Sequence, residues 1–230
     1  MYEHHARFPS RYGSERYRSE SGKALAAAYM LLQGTPFIYQ GQEIGMTNLR
    51  LPSADMYPDV MTQGNVKLAS RWLSPKRVLR LTQDTARDSA RTPMQWTGGK
   101  NAGFTEGTPW FYVNENCRSV NVEAEEADPD SLLNFYRKLI AFRKSDPIVR
   151  CGTYTELLPQ SPNFYVYSRE FEGRKLLVIA SLVEKETYFT CPEGFTLTDG
   201  ELIFKNHDLN VVVNNAFTAR PYELRVYLFE

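Results

Sequence analysis

Two hundred and thirty residues, 42% hydrophobic and 23% charged, are ordinary globular composition for one large domain or two small ones, which excludes a disordered tail or a fibre. Lys+Arg and Asp+Glu number 27 each, so the formal charge is zero and a broadly basic, nucleic-acid-binding surface is not expected. No apolar run approaches the ~18 residues of a membrane span, and the opening MYEHHARFPSRYG has no apolar stretch of the signal-peptide kind, so no membrane partner is expected.

In chain order, 19–34 (SESGKALAAAYMLLQG) reads as a helix, with Ser19 placed to cap it and Gly34 where a left-handed residue would end it. The consecutive Phe37, Ile38 and Tyr39, stopped by Gly41, predict a strand at 35–40 buried on both faces, as in a parallel sheet. Functional groups of an α/β fold gather where such strands end, here at Gln42 and Glu43. Residues 50–85 read as mixed and partly helical, with interruptions at Pro52, Pro58, Gly64 and Pro75. The stretch 86–116 is rich in Gly, Pro, Asn and Thr and has no periodicity; a loop of that length in a compact protein is usually functional.

The clearest helix is 128–145. Asp128 is its expected N-cap and Pro129 its first residue, while Leu132, Phe135, Tyr136, Leu139 and Ile140 share one face. Arg143 and Lys144 suit its C-terminal dipole, and Pro147 follows its end. After Cys151 the period shifts toward two. NFYVYSRE, KLLVIASL, TYFTC, NVVVN and ELRVYLF predict the strands of a small antiparallel β-module, with EFEGRK as a hairpin turn. Cys117, Cys151 and Cys191 are widely spaced without a CxxC, which reads as reduced thiols in a cytoplasmic protein. No metal-ligand spacing and no Gly-rich phosphate loop is present, so neither a metal nor a cofactor is expected.

Four strings go beyond generic pattern: GTPFIYQGQEIGMTN at 34–48, ARDSARTPMQW and NAGFTEGTPW within 86–110, and the run at 121–154 that begins NVEAEEADPDSLLNFYRKL. In this order and spacing they resemble the α-glucosidases of the α-amylase superfamily, in particular the oligo-1,6-glucosidases, with trehalose synthases and sucrose isomerases nearby. The resemblance runs from about residue 7 to the closing RPYELRVYLFE. It implies an α/β fold, the C-terminal part of a (β/α)8 barrel over 1–150, followed by an all-β antiparallel sandwich over 151–230. It also implies retaining cleavage of terminal α-1,4- or α-1,6-glucosidic bonds in oligosaccharides, chemistry that needs two carboxylates roughly 5 Å apart.

Those two carboxylates belong, in the family, to strands upstream of anything in this chain, so no catalytic residue is assigned. The family's Asn-His-Asp string is expected just before ARFPSRYG, where MYEHH stands instead, and His4, His5 and Glu3 do not supply its pattern. The expectation is therefore the C-terminal portion of a longer glucosidase, inactive alone, that meets an α-glucoside oligosaccharide only when an upstream barrel completes it. Exposed barrel strand edges imply self-association. The family's loop geometry makes Arg91 and Arg87 of the RDxxR string, and Arg7, the candidate substrate-binding residues, against a reading in which ion pairs with Asp84 and Asp88 hold the loop. Glu43 reads as a structural carboxylate, Trp96, Phe104 and Trp110 as loop packing or sugar-stacking rings, and Met94 as packing. The literal Asn206-His207-Asp208 reads as a chance match in a turn of the sandwich. Hydrolysis, isomerisation and transglucosylation stay open. So do two non-catalytic classes, a protein resembling the heavy chains of amino-acid transporters and a carbohydrate-binding module that uses the sandwich.

Overall fold

A computed structural model describes residues 6–230; the MYEHH string, with Glu3, His4 and His5, lies outside the described residues. The chain divides into two compact units, one formed by the described part of Met1–Glu15 with Ile38–Asn134, the other by Arg16–Phe37 with Phe135–Glu230.

The first unit is helical and loop-rich. After the short α1 (Phe8–Tyr12), the chain of this unit resumes at Ile38 and leads to α3 (Val60–Ala69) and α4 (Pro75–Thr85), counted with α2 (Arg18–Met30) of the other unit. Asp59 caps α3 by accepting from Thr62 N at 2.9 Å, and Pro75 opens α4, where its missing N–H costs nothing. Gly64, expected to interrupt, is simply a helical residue of α3. Leu49, Leu51, Tyr57, Ala86 and Phe111 form one small core, and Ile44, Met46 and Met94 form another. Tyr57 is completely buried, so its hydroxyl needs partners; it accepts from Leu51 N at 2.9 Å and donates to Leu49 O at 3.1 Å. The unit continues through α5 (Val122–Ala127), capped by Asn121, into the start of α6 (Leu132–Ser145).

The expected helix start at Asp128 is corrected. Asp128 instead closes α5 and accepts from Asp130 N at 2.9 Å in a turn, and Ser131 caps α6 by accepting from Asn134 N at 3.1 Å. The Asp128 carboxylate is taken up by Asp130 N, so the serine nearer the apolar run caps the first turn and sets the boundary.

In the second unit, the short helix α7 (Pro147–Cys151) precedes seven strands: β1 (Thr153–Glu156), β2 (Phe164–Phe171), β3 (Arg174–Ser181), β4 (Thr187–Thr190), β5 (Glu201–Lys205), β6 (Ala216–Ala219) and β7 (Leu224–Phe229). All pairings are antiparallel, in a five-stranded sheet ordered β1-β2-β3-β7-β5 and a two-stranded sheet β4-β6. Phe164, Val166, Leu177, Ile179 and Tyr227 of the first sheet meet Phe189, Phe217 and Ala219 of the second, which makes a sandwich core. The EFEGRK turn is a two-residue hairpin with Glu172 at φ 51° and Gly173 at φ 84°, the twist that a tight antiparallel connection needs.

Within KLLVIASL, Leu176–Ala180 are apolar without a break because β3 is buried on both faces there; helix α2, of the same unit, packs on β3 and β7. Helix α2 begins without a side-chain cap after Tyr17, not at Ser19, which lies inside it. Two further expectations are corrected. NVVVN makes only an isolated bridge, Val213 with Ala216, and the strand follows it at Ala216–Ala219. The segment 35–40 is not a strand but an irregular, largely exposed stretch, with Phe37 66% exposed. A strand buried on both faces needs neighbouring strands to pair its backbone groups, and no strand among the described residues pairs with 35–40. Phe37→Ser is therefore expected to reduce binding of an apolar-surface dye by the chain; an unchanged signal would mean the dye sits elsewhere.

In the Asn206-His207-Asp208 string, Asn206 and His207 make structural contacts. Asn206 Nδ2 donates to Glu20 O at 2.9 Å and Tyr222 O at 2.7 Å, its Oδ1 accepts from Leu224 N at 2.8 Å, and His207 Nε2 lies 2.9 Å from Pro221 O.

Candidate functional site

The first two family-like strings meet in the first unit, and Arg7 is the residue that joins them. Its guanidinium donates to the carbonyl of Gln40 through Nη1 and to Thr92 Oγ1 at 3.2 Å through Nη2, while its backbone N–H donates to Asn48 Oδ1 at 2.7 Å. Gln40 Nε2 also donates to Thr92 O, at 3.3 Å. Arg7 lies over the Tyr39 ring, 5.3 Å from its centroid, and is only 2% exposed. Burial brings its pKa down to about 10, against the pull of Tyr39 and Glu43.

The turn that presents Gln42 and Glu43 depends on Gly41, at φ 82°. A β-carbon there would stand 2.2 Å from Met46 Sδ and 3.0 Å from Arg7 Nη1, so this glycine also makes room for the arginine. Gly41→Ala is expected to destabilise the protein by about 1–3 kcal/mol, read from denaturant midpoints; a neutral result would mean that Met46 moves aside freely.

Glu43 is half-buried, and its Oε2 has no hydrogen-bond partner among the described residues. Burial raises its pKa, opposed by its own and Gly41's backbone N–H groups and by the charge of Arg7. A carboxyl with a raised folded-state pKa disfavours the fold once ionised. The cost is absent below the ordinary carboxyl pKa and grows as pH rises through that value to the folded one. Glu43→Gln is accordingly expected to raise the thermal midpoint at pH 8 and leave it unchanged at pH 4; equal effects at both pH values would remove ionisation as the cause.

The RDxxR string forms a 3-10 turn, Arg87–Ala90, and both arginines approach one carboxylate, that of Asp59. Arg87 Nη2 donates to Asp59 Oδ1, and Arg91 Nη1 stands 4.0 Å from the same oxygen. The second oxygen accepts from Thr62 N and Thr62 Oγ1, each at 2.9 Å, and Asp59 N donates to Asp88 Oδ2 at 2.9 Å. Burial alone would raise the Asp59 pKa, but the hydrogen bonds from Arg87 and Thr62 outweigh it and hold it below the usual carboxylate value. The alternative reading, a loop held by ion pairs with Asp84 and Asp88, names other partners than the geometry shows: Asp84 pairs with Arg50 at 3.1 Å, and Asp88 accepts from the backbone N–H of Asp59.

Asp59 is the residue that sequence reasoning missed. Its signal was local, an Asp three residues before Thr62 at a helix start; the pairing across 28 residues had none.

The rest of the 86–116 loop is tightly built. Asn101, Ala102 and Gly103 take φ of 52°, 54° and 67° in succession, and Ala102 O accepts from both Trp96 N at 2.9 Å and Thr97 N at 3.0 Å. Asn101 Nδ2 closes the loop by donating to Thr105 O at 2.9 Å and Gly107 O at 2.7 Å. A non-glycine run at positive φ persists only where surrounding bonds over-determine it. Trp96, Phe104, Trp110 and Tyr112 are exposed on this loop, whereas Phe111 and Met94 pack inward.

Residues 2–152 match the family model for the alpha-amylase catalytic domain. The chain belongs to the alpha-amylase family. It is 41% identical over 222 residues to the oligo-1,6-glucosidase of Parageobacillus thermoglucosidasius, covering 95% of this chain and 40% of that one. Its fold is similar to that of trehalose-6-phosphate hydrolase (TreA) of Bacillus licheniformis, with a TM-score of 0.94 and 36% identity over 100% of this chain and 42% of that one. It is likewise similar to isomaltulose synthase (PalI) of Klebsiella sp. LX3, with a TM-score of 0.90 and 32% identity over 98% of this chain and 41% of that one. The chain thus spans about 40% of the length of the curated relatives it matches. Among the described residues, no helix is long and apolar enough to cross a membrane.

Proposed function

We propose that this chain is the substrate-loop and C-terminal portion of a retaining α-glucosidase, acting on terminal α-1,4- or α-1,6-glucosidic bonds of oligosaccharides. The observation that carries the reading is the way Arg7 clamps the Gln40–Glu43 turn to Thr92, directly beside Arg91, so that the family-like strings form one constellation. Arg87 is spent on Asp59 and orients the turn, whereas Arg91, at the longer distance from that carboxylate, has a guanidinium edge to offer to sugar hydroxyls. Arg7 supports both from behind. The C-terminal part of a (β/α)8 barrel over 1–150 and a sandwich over 151–230 belong to this proposal.

Breaking the glucosidic bond by this route takes one carboxylate to attack the anomeric carbon and a second to protonate the leaving oxygen, then to activate water. Three of the cavities that the described residues form lack such a pair: two have no acid in their lining and one has Asp55 alone. We place the two acids in an upstream part of the barrel, a reading that the exposed 35–40 stretch supports. Left unpaired, the same stretch is a surface for self-association. Three free thiols, Cys117, Cys151 and Cys191, support a cytoplasmic setting.

The purified 230-residue chain is expected to release no glucose from maltose, isomaltose or an aryl α-glucoside; turnover would overturn the division of labour. Joined to the part of the Parageobacillus enzyme that precedes the matched region, it is expected to hydrolyse the aryl glucoside, with kcat/KM about 100-fold lower for Arg91→Ala, the loss of one charge-assisted contact. An active chimera indifferent to Arg91→Ala would remove that residue from the site.

A further inference from the structure

We propose that the β-sandwich carries a second sugar site, a neutral pocket for one or two pyranose rings of an α-glucoside, separate from the Arg91 site. Between the 157–163 loop and the edge strand β4 lies a cavity of about 420 Å³, within the ~300–1,000 Å³ typical of small-molecule pockets. None of the ten residues that border it is charged, in a chain of which 23% of residues are charged. That excludes recognition by ion pairing, as a nucleotide, a phosphorylated sugar or an acidic peptide would require, and leaves an uncharged ligand.

The floor is rigid and apolar. Phe189 is buried and meets Phe164 edge-on with ring centroids 5.0 Å apart. Tyr188, on the other face of β4, is 68% exposed and offers a ring to water at the cavity's border. Gln160 and Asn163 supply two side-chain amides that make no hydrogen bond within the protein among the described residues. Their loop is nevertheless held in place: Leu157 N donates to Val166 O at 2.9 Å, Ser161 Oγ accepts from Phe164 N at 3.1 Å, and Leu182 N donates to Asn163 O at 2.8 Å. Among the described residues strand β4 pairs only with β6, which leaves its other edge without a strand partner.

A pyranose presents an apolar face of C–H bonds and a rim of neutral hydroxyls. An exposed aromatic ring suits the first, and amides that both donate and accept suit the second. A preformed, uncharged pocket with those groups and no internal use for them matches a sugar in both respects.

The test is a titration of the whole chain with maltotriose and with isomaltotriose, followed by backbone amide shifts in NMR. Saturable shifts confined to 157–163 and 187–190 are expected, with Tyr188→Ala and Asn163→Ala each weakening the affinity at least tenfold and Tyr188→Phe retaining it. Tyr188 is exposed, so its truncation leaves the core intact, and the variant's unperturbed spectrum verifies this. Absence of binding, or affinity unchanged in Tyr188→Ala, would overturn the proposal. Shifts confined to 87–92 would overturn it too, while leaving the proposed glucosidase site standing.

Discussion

Replacing Glu223 by alanine is expected to lower the stability of the sandwich unit by about 3–5 kcal/mol, the cost of leaving a buried cation without its anion. Glu223 and Arg225 are both buried, with side chains 1% exposed, and are joined by an Nε–Oε1 contact of 2.7 Å. The other Glu223 oxygen accepts from Arg220 N at 2.8 Å, Arg225 Nη2 donates to Asn210 O at 3.1 Å, and the guanidinium stacks 3.5 Å above the Phe217 ring. Removing the carboxylate leaves the buried Arg225 Nε and the Arg220 N–H without their acceptor. Replacing both residues, Glu223→Leu with Arg225→Met, removes the desolvated charges together and is expected to cost less than either single truncation. Urea unfolding of the two singles and the double forms the cycle that reads this; purely additive losses would show that the two charges are not coupled.

Arg143→Ala is expected to cost about 2–3 kcal/mol and to loosen the end of α2 selectively. The last carbonyls of a helix have no partner within it. Here Arg143 Nη1 donates to Met30 O at 2.6 Å and Leu32 O at 2.7 Å, and its Nη2 donates to Gly34 O. Buried Arg169 adds a bond to Leu31 O at 3.4 Å and another to Gly152 O. Hydrogen bonds to a charged donor are each worth ~1.5–3 kcal/mol, and three share one fork. Arg143→Lys is expected to recover little, because an ammonium cannot bridge three carbonyls in a fixed plane. Amide hydrogen exchange should accelerate near the C-terminal turn of α2 in both variants; protection equal to the parent would mean that the carbonyls find other donors.

The two arginines explain where sequence reasoning succeeded and where it stopped. Arg143 was assigned to the dipole of its own helix, a local role, because nothing along the chain reveals that a side chain more than a hundred positions away ends another helix. Gly34 does take the left-handed φ of 96° foreseen for it, but four residues beyond the end of α2 at Met30. Strands β2, β3 and β7 were legible because long β-branched and aromatic runs carry their own signal. The short β1 and β5 were not, since four or five residues such as Thr-Tyr-Thr-Glu become a strand only by pairing with a longer neighbour, and neither was β6, whose four residues pair with the equally short β4. In the candidate site, the motif strings and their order were plain in the residues, including the arginines. What they touch was not: Asp59 and the clamp made by Arg7 are products of tertiary placement.

Helix α2 lies outside the sequence segment that holds the strands, yet it covers the second face of β3, and its carbonyls accept from Arg143, Arg169 and the Tyr167 hydroxyl, the last at 3.0 Å. A recombinant product cut at Gly152 would therefore bare an oily sheet surface and deprive Arg169 of its acceptor at Leu31. The smallest autonomous piece of this half is discontinuous along the gene, and isolating it calls for a rewired chain in which residues 16–37 are spliced, through a designed linker, ahead of Phe135.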